Sequence, residues 1–280
     1  MDPLTDERRE ALALLLLAGL PGVGEATVRR LVETLGSGRE ALGAAPAAFA
    51  AVAGPAAEAS RHGKEHRERA EGIVAWCERA GVRPLPLGAA DYPATLLDLT
   101  GPPPVLFVRG DVALLSRPGV AVVGARAATA YGRRSAERIA HLLARNGIVV
   151  VSGLALGVDG AAHRAALEAG GPTVAVMGNG PDRVHPAAHR GLARRIAERG
   201  LLATELPPGA EARSHHFPKR NRILAALSRA VVVVEAARRS GALITARLAG
   251  EMGRDVLAVP GPMDATTSQG SNWLLAEGNT

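Results

Sequence analysis

Short apolar runs and amphipathic stretches alternate along the second half of the chain. The runs rich in β-branched residues lie at 120–123, 148–151, 173–177, 201–204, 230–235 and 255–259, and the amphipathic stretches lie between them at 133–145, 160–169, 189–199, 220–228 and 242–252. Strands that are apolar on both faces and alternate with helices of this length predict a mostly parallel sheet covered by helices. The predicted fold class is therefore α/β, with a doubly wound sheet.

Residues 1–80 have a different pattern. They contain amphipathic stretches at 6–18 and 25–35 and no β-branched run. This pattern predicts a small domain built only of helices. Proline and glycine are frequent between 84 and 104, which is typical of a connector with short extended pieces. We expect a helical domain over 1–80, a connector over 81–117 and the α/β domain over 118–280.

Composition and charge narrow the possible partners. The longest apolar run, 11–20, is too short to cross a bilayer and ends at Pro21 and Gly22, so no membrane partner is expected. Cys77 is the single cysteine, which excludes an internal disulfide and favours the cytoplasm. The formal charge of +6 favours an anionic partner. Almost all the basic residues are arginine, however, and that bias also fits a GC-rich genome. The net charge alone therefore does not identify the partner, and the positions of the basic residues are needed as evidence.

The segment SGLALGVDGAAH, from Ser152 to His163, joins a predicted strand to a predicted helix and is rich in glycine. Such turns often cradle phosphate. A dinucleotide site would need G-x-G-x-x-G and an acid about 20 residues further on, and neither this turn nor the one at Gly124 has both. Neither Lys64 nor Lys219 stands where a P-loop needs its lysine. There is also no nucleophile elbow and no metal-ligand spacing among the histidines, so no cofactor and no metal are expected.

Asp159 and His163 in the same segment are four residues apart, so on a helix they share a face. A carboxylate that orients an imidazole could serve acid–base chemistry. No candidate nucleophile stands beside them, and the favoured interpretation is structural: Asp159 caps a helix that begins at Gly160, and His163 pairs with Asp159.

Arginines and small residues follow several predicted strands. In an open parallel sheet these positions gather at the carboxyl edge, where ligands bind. The segment SHHFPKRNRILAALS places Lys219, Arg220 and Arg222 at the start of a helix, where the dipole favours anions. Phe217 beside this basic cluster suits a stacked, unpaired base. With Arg126 on the same edge, the pattern predicts a phosphate chain that is bound without chemistry.

Motifs in one order along almost the whole α/β region resemble the DNA-processing protein A (DprA, also called Smf) family. They read AVVGARAATAYG, VVSGLALGVDGAAHRAAL, GPTVAVMGNGPDRVHP, LLATELPPG, FPKRNRILAALSRAVVVVEAARRSGALITARLA, GRDVLAVPGPMD and SQGSNWLLAEG. The resemblance implies an extended Rossmann-like domain and a SAM-like N-terminal helical domain. It further implies a homodimer that binds single-stranded DNA, protects incoming DNA and helps load the recombinase RecA onto it during natural transformation, without catalysis.

Carried over position by position, the family's DNA-binding pocket, together with the aromatic and basic cluster described above, falls on eleven positions. These are Arg126, Ser152, Gly153, Phe217, Lys219, Arg220, Asn221, Arg222, Ser240, Gly241 and Thr245. One departure is His185, which precedes Pro186 where the family commonly has tyrosine, so a stacking or packing role at this position is in doubt. Many members also continue into a winged-helix domain beyond the final LLAEG motif.

Two other hypotheses remain open. One is a nucleotide-processing enzyme of a related Rossmann-like class, which would cleave a nucleoside monophosphate with Glu235 or Asp159 as the acid. Enzymes of that class resemble PGGxGTxxE, whereas Pro260–Ser268 reads PGPMDATTS and lacks the second glycine and the glutamate. The other is an interaction scaffold whose basic edge binds no ligand.

Overall fold

The computed structural model describes residues 3–277 and divides the chain into two compact units. One unit comprises the described residues up to Val108 together with Glu205–Pro208, and the other comprises Arg109–Thr204 and the described residues from Gly209 onward. The predicted boundaries at residues 80 and 117 stay a prediction.

The first unit is mainly helical, which confirms the helical N-terminal region. Its helices are α1 (Pro3–Ala18), α2 (Glu25–Leu35), α3 (Gly38–Gly43), α4 (Pro46–Ala53), α5 (Pro55–Ser60) and α6 (Lys64–Ala80). Leu14, Leu17, Leu31 and Phe49 are fully buried in its core. The strands β1 (Arg83–Pro86) and β2 (Val105–Gly110) then pair antiparallel, with Arg83 opposite Val108.

The second unit contains a six-stranded parallel sheet, which confirms the α/β fold class. The strands are β3 (Gly119–Val123), β4 (Val149–Ser152), β5 (Thr173–Val176), β6 (Leu201–Thr204), β7 (Ala230–Val233) and β8 (Asp255–Ala258). They lie in the order β6-β5-β4-β3-β7-β8. The chain therefore builds the sheet outward from β3 in one direction as far as β6 and then in the other through β7 and β8.

Six helices accompany these strands: α7 (Ala130–Arg145), α8 (Val158–Glu168), α9 (Arg190–Arg199), α10 (His216–Ala226), α11 (Gly241–Glu251) and α12 (Gln269–Ala276). Since crossovers between parallel strands are right-handed, α7, α8 and α9 cover one face of the sheet, and α10 and α11 cover the other. The order of the strands reverses between β3 and β7, which is where ligands collect in doubly wound sheets.

Three helices of the second unit begin two to four residues earlier than the sequence pattern predicts, and a side-chain cap explains one of them. α7 begins at Ala130 because the Thr129 side chain accepts a hydrogen bond from the Gly132 backbone N–H, at 3.1 Å. α10 begins at His216 without a side-chain cap, and Pro218 is compatible with its first turn, where no N–H is required. α8 begins at Val158, two residues before the predicted start. Over residues 3–277 no helix is long and apolar enough to span a membrane.

Candidate anion-binding site

A cavity of about 560 Å³ lies at the point where the strand order reverses. Its walls come from the loops after β3 and β4, the first turns of α10 and the start of α11. Seven of the eleven predicted site residues line it: Arg126, Phe217, Arg220, Asn221, Ser240, Gly241 and Thr245. Residues far apart in the sequence are therefore brought together at the carboxyl edge of the sheet, as the sequence predicts.

Arg220 is a buried cation in the cavity wall. Its side chain is only 4% exposed, and one guanidinium nitrogen, Nη1, donates to the backbone carbonyls of Gly153, at 2.8 Å, and of Val176. Burial lowers the pKa of Arg220 to about 10, with the charge of Asp159 acting against this shift, so Arg220 stays protonated at neutral pH. Its Nε atom is buried and has no hydrogen-bond partner among residues 3–277, so one donor of the guanidinium is unused.

Ser152 and Gly153 lie behind the cavity wall rather than on it. The Ser152 hydroxyl is fully buried and donates to the carbonyl of Val122 at 2.7 Å, and the Gly153 N–H donates to the Asp159 carboxylate at 3.1 Å. Both predicted phosphate donors are thus engaged inside the protein. A Cβ at Gly153 would lie 2.4 Å from Nη1 of Arg220. Glycine is needed here because the protein's own arginine approaches the backbone, not because a ligand does.

Asp159 does not cap α8, contrary to the sequence-based interpretation. It lies inside the first turn, and its buried carboxylate accepts hydrogen bonds from the N–H groups of Gly153 and Ala155 in the preceding loop, at 3.1 and 3.3 Å. Burial raises the pKa of Asp159, and the charge of Arg220 opposes that rise. Asp159 therefore closes the loop between β4 and α8.

The predicted pairing of His163 with Asp159 is also wrong. The imidazole Nδ1 is 2.7 Å from the Thr173 hydroxyl, which in turn donates to the carbonyl of Val150 at 2.8 Å. Because Thr173 uses its proton on that carbonyl, Nδ1 of His163 acts as the donor to Thr173. Burial lowers the pKa of His163 to about 3, so the ring is neutral at physiological pH. The partner of His163 is therefore Thr173 on β5 and not Asp159.

The start of α11 faces the cavity without a cap. Ser240 is the N-cap residue, yet its hydroxyl forms no capping bond, is buried and has no partner among the described residues. The Leu243 N–H bonds to the Ser240 carbonyl, while the N–H groups of Gly241 and Ala242 have no acceptor within the described part of the chain. Free N–H groups and the positive end of the helix dipole make such a terminus an anion site.

Asn221 and Thr245 hold this helix start in place. The Asn221 side-chain amide donates to the Gly241 carbonyl at 3.1 Å, and the Thr245 hydroxyl donates to the same oxygen at 3.4 Å. Both side chains therefore position the Gly241 backbone as well as lining the cavity. The Ala242 N–H is a further donor that is not among the predicted site residues, although the first N–H groups of any helix have no partner within the helix.

Arg126 and Phe217 form a stacked pair at the mouth of the cavity. The guanidinium carbon of Arg126 lies 4.7 Å from the centre of the Phe217 ring, and the His185 ring packs against the same ring at 5.7 Å. Gly178 allows this packing, since a Cβ there would lie 2.8 Å from the Phe217 ring. His185 therefore has a packing role, and the flat surface at the cavity mouth is the exposed guanidinium of Arg126.

The structure does not place Lys219 or Arg222 in the cavity wall, and both make interactions within the protein. Glu235, a candidate acid in the enzyme hypothesis, is 3% exposed and accepts hydrogen bonds from the N–H and hydroxyl of Thr129, at 2.9 and 3.3 Å. It anchors the start of α7. Ser214 lines the cavity and was missed because no motif marks it. Among the described residues no cluster of histidine, cysteine and carboxylate side chains could hold a metal ion.

Comparison with known proteins identifies close relatives of the chain. Residues 84–280 match the model of a family described as DNA recombination-mediator protein A. The chain is 43% identical over 213 residues to protein Smf of Escherichia coli, an alignment that covers 76% of this chain and 57% of Smf. It is 46% identical over 187 residues to DNA processing protein DprA of Streptococcus pneumoniae, covering 67% and 66% of the two chains. The chain thus spans about half to two thirds of the length of these relatives.

Two solved structures share its fold. The X-ray structure of DNA processing protein A from S. pneumoniae superposes with a TM-score of 0.82 and 36% identity, over 95% of this chain and 91% of that one. The protein of that name from Helicobacter pylori, whose single-stranded DNA binding mode has been determined, superposes with a TM-score of 0.65 and 32% identity, over 71% and 89% of the two chains.

Proposed function

Because the chain belongs to the DNA recombination-mediator protein A family, we propose that its cavity binds a phosphate group of single-stranded DNA. The observation that carries this proposal is the uncapped start of α11 beside the buried cation Arg220. Three donors there lack partners among the described residues, namely the Ser240 hydroxyl and the N–H groups of Gly241 and Ala242. The buried Ser240 hydroxyl is costly to leave without an acceptor, and the open N–H groups beside it belong to a helix terminus that favours an anion.

A phosphodiester supplies the acceptors that this site lacks. Each phosphate carries one negative charge and two free oxygens, which suit the open N–H groups at the helix terminus and the positive charge of Arg220 in the cavity wall. The H. pylori relative is described as binding single-stranded DNA. We transfer that ligand to this chain because both its fold and these donors are compatible with it.

The Arg126–Phe217 pair supports a single strand rather than a duplex. A guanidinium lying over an aromatic ring presents a flat cationic surface. Bases of a single strand are free to stack on such a surface, whereas paired bases are already stacked in the helix. The sequence predicts that a base stacks on Phe217. We propose instead that the base stacks on the guanidinium of Arg126, whose other face packs on the Phe217 ring.

Binding without catalysis is the companion proposal. The two acids that the enzyme hypothesis needs, Asp159 and Glu235, are buried and accept hydrogen bonds from backbone N–H groups that they hold in place. These structural roles of the two carboxylates support binding without cleavage of a glycosidic bond. Release of a free base from any of a panel of nucleoside monophosphates would instead support the nucleotide-cleaving enzyme.

The proposal is tested by fluorescence anisotropy with single-stranded and double-stranded oligonucleotides of one sequence at two salt concentrations. We expect tighter binding of the single strand. We also expect its affinity to fall with rising salt, with a logarithmic slope of about 0.7 for each phosphate contacted. Equal affinity for the two forms, or binding that salt does not change, would contradict the proposal.

A homodimer is proposed from the apolar surface at the free edge of β8. Leu257 on β8 is 47% exposed, and Met263, Trp273 and Leu275, which follow β8 in the sequence, are 91%, 38% and 38% exposed. Within residues 3–277, β8 pairs on one side only, with β7. An unpaired edge with exposed large apolar side chains is typical of an association surface.

Replacing Leu257 and Trp273 with glutamate together is expected to convert the dimer to a monomer of 28.8 kDa, because charges would be buried at the interface. Light scattering coupled to gel filtration measures the mass. Leu142→Glu is the matched control, since Leu142 is 54% exposed on α7 and away from that edge. A wild-type chain that elutes as a monomer at all concentrations would refute the dimer.

We also propose that this family member works in the cytoplasm, protects incoming single-stranded DNA and helps to load RecA onto it in natural transformation. The family description as a recombination mediator supports this role. Purified RecA and a single strand already coated by a competing binding protein provide the assay, in which this chain should shorten the lag before RecA assembles.

A further inference from the structure

One face of α7 carries a row of exposed side chains that includes three arginines. Tyr131, Arg134, Arg138, His141 and Arg145 are spaced by three, four, three and four residues, so they lie along one side of the helix. All five are exposed, whereas the opposite side, with Ala136, Ala140 and Ala144, is buried. We call these five residues the α7 ridge.

The arginines of the α7 ridge have no acidic partner among the described residues, in contrast to several other helical arginines of the chain. Arg29, Arg67 and Arg247 each pair with a glutamate four residues further along their helices. Arg134, Arg138 and Arg145 form no ion pair with any described residue, although Glu137 lies on the same helix. Charged rows on a solvated helix are usually balanced by acids, and this one is not.

The ridge begins at the edge of the sheet where the cavity lies. Just before α7, the Thr129 N–H donates to Glu235, which follows β7. The Tyr131 hydroxyl donates to the carbonyl of Pro260, which follows β8. Arg126 at the cavity mouth precedes α7 by only a few residues. From Tyr131 to Arg145 the ridge extends about 21 Å along the helix, at about 1.5 Å for each residue.

We propose that the α7 ridge is a second contact surface for nucleic acid, along which the single strand runs after it leaves the cavity. This inference rests on the proposed function. A polyanion complements a row of cations that no acid balances. The exposed ring of Tyr131, at the cavity end of the ridge, gives an unpaired base a surface for stacking, which a duplex could not use.

The test compares two single-stranded oligonucleotides, of about 4 and about 20 nucleotides, so that the short one reaches only the cavity. The ridge variant carries Arg134→Gln, Arg138→Gln and Arg145→Gln, because glutamine keeps helix propensity and removes the charge. The matched control carries Arg9→Gln, Arg30→Gln and Arg79→Gln, three exposed helical arginines of the other unit. Both variants lose the same charge, so a change in net charge alone affects them equally.

We expect the ridge variant to bind the long oligonucleotide about tenfold more weakly, with a salt slope smaller by about 2, which corresponds to three lost phosphate contacts. Its affinity for the short oligonucleotide should match that of the wild-type chain, as should both affinities of the control. Unchanged binding of the long oligonucleotide, or an equal loss in the control, would overturn the ridge while leaving the cavity proposal intact. Wild-type chain that binds neither oligonucleotide would instead refute the proposed function, and the ridge with it.

Discussion

Replacing Gly241 with aspartate is expected to weaken single-stranded DNA binding by about two orders of magnitude without loss of stability. Gly241 is the first residue of α11, and a Cβ built on it meets no atom within 4 Å. An acid in the first turn of a helix stabilises it by about 0.5 kcal/mol through the helix dipole. The same charge would repel a phosphate at this site, and repulsion between like charges costs several kcal/mol.

Gly241→Asn is the matched control, because asparagine has nearly the shape of aspartate and no charge. It should retain most of the affinity, since it leaves the N–H groups of Gly241 and Ala242 open. Thermal unfolding measures stability and anisotropy measures binding. If both variants bind DNA as tightly as the wild-type chain, no phosphate lies at the start of α11. If both lose binding equally, the effect is steric and not electrostatic.

Gly241→Asp is expected to raise stability slightly and to lower DNA affinity, and this difference in sign distinguishes a ligand-binding position from one that only supports the fold. At a position that only supports the fold, a substitution that weakens binding generally also weakens the folded state. At Gly241 the helix favours the negative charge that the ligand would oppose. Stability and function therefore make conflicting demands on this residue, as is common for binding sites.

The sequence pattern predicts the parallel sheet and the edge at which the cavity forms, because both follow from alternating apolar runs and the geometry of parallel strands. It also predicts Arg126, Ser240 and Gly241 at that edge, since each follows a strand or begins a helix, and Arg220, which lies in the second turn of α10 rather than at its start. These predictions depend on local periodicity and on topology, which leave clear marks in the sequence.

What the sequence does not predict is which partner a given group finds in three dimensions. At Gly153 the missing Cβ makes room for Arg220, which is 67 residues away, and no pattern separates that from room for a ligand. At His163 the spacing of four residues favours Asp159 as the hydrogen-bond partner, yet Thr173 at the start of β5 is the partner. Both corrections concern the segment SGLALGVDGAAH, whose glycines and acid turn out to organise the protein's own loop.

Replacing Arg220 with methionine is expected to lower the free energy of unfolding by about 3 kcal/mol and to abolish most of the DNA binding. Methionine fills the volume of the buried stem but donates no hydrogen bond. The carbonyls of Gly153 and Val176 would lose a donor, and Asp159 would lose the charge that favours its ionised form. A buried polar group left without its hydrogen-bond partner costs about 1–3 kcal/mol, and the buried Asp159 carboxylate loses a nearby opposite charge as well. Arg229→Met, at an exposed arginine just before β7, is the control and should change neither quantity.

A second variant distinguishes the two roles of Arg220. Adding Asp159→Asn to Arg220→Met removes the unpaired buried carboxylate, so urea unfolding should show that part of the lost stability returns. DNA binding should stay weak, because the cation is still missing from the cavity wall. If the double variant binds single-stranded DNA like the wild-type chain, Arg220 only supports the loops around the cavity. If the single variant is as stable as the wild-type chain, the buried hydrogen bonds of Arg220 do not hold the ends of β4 and β5 together.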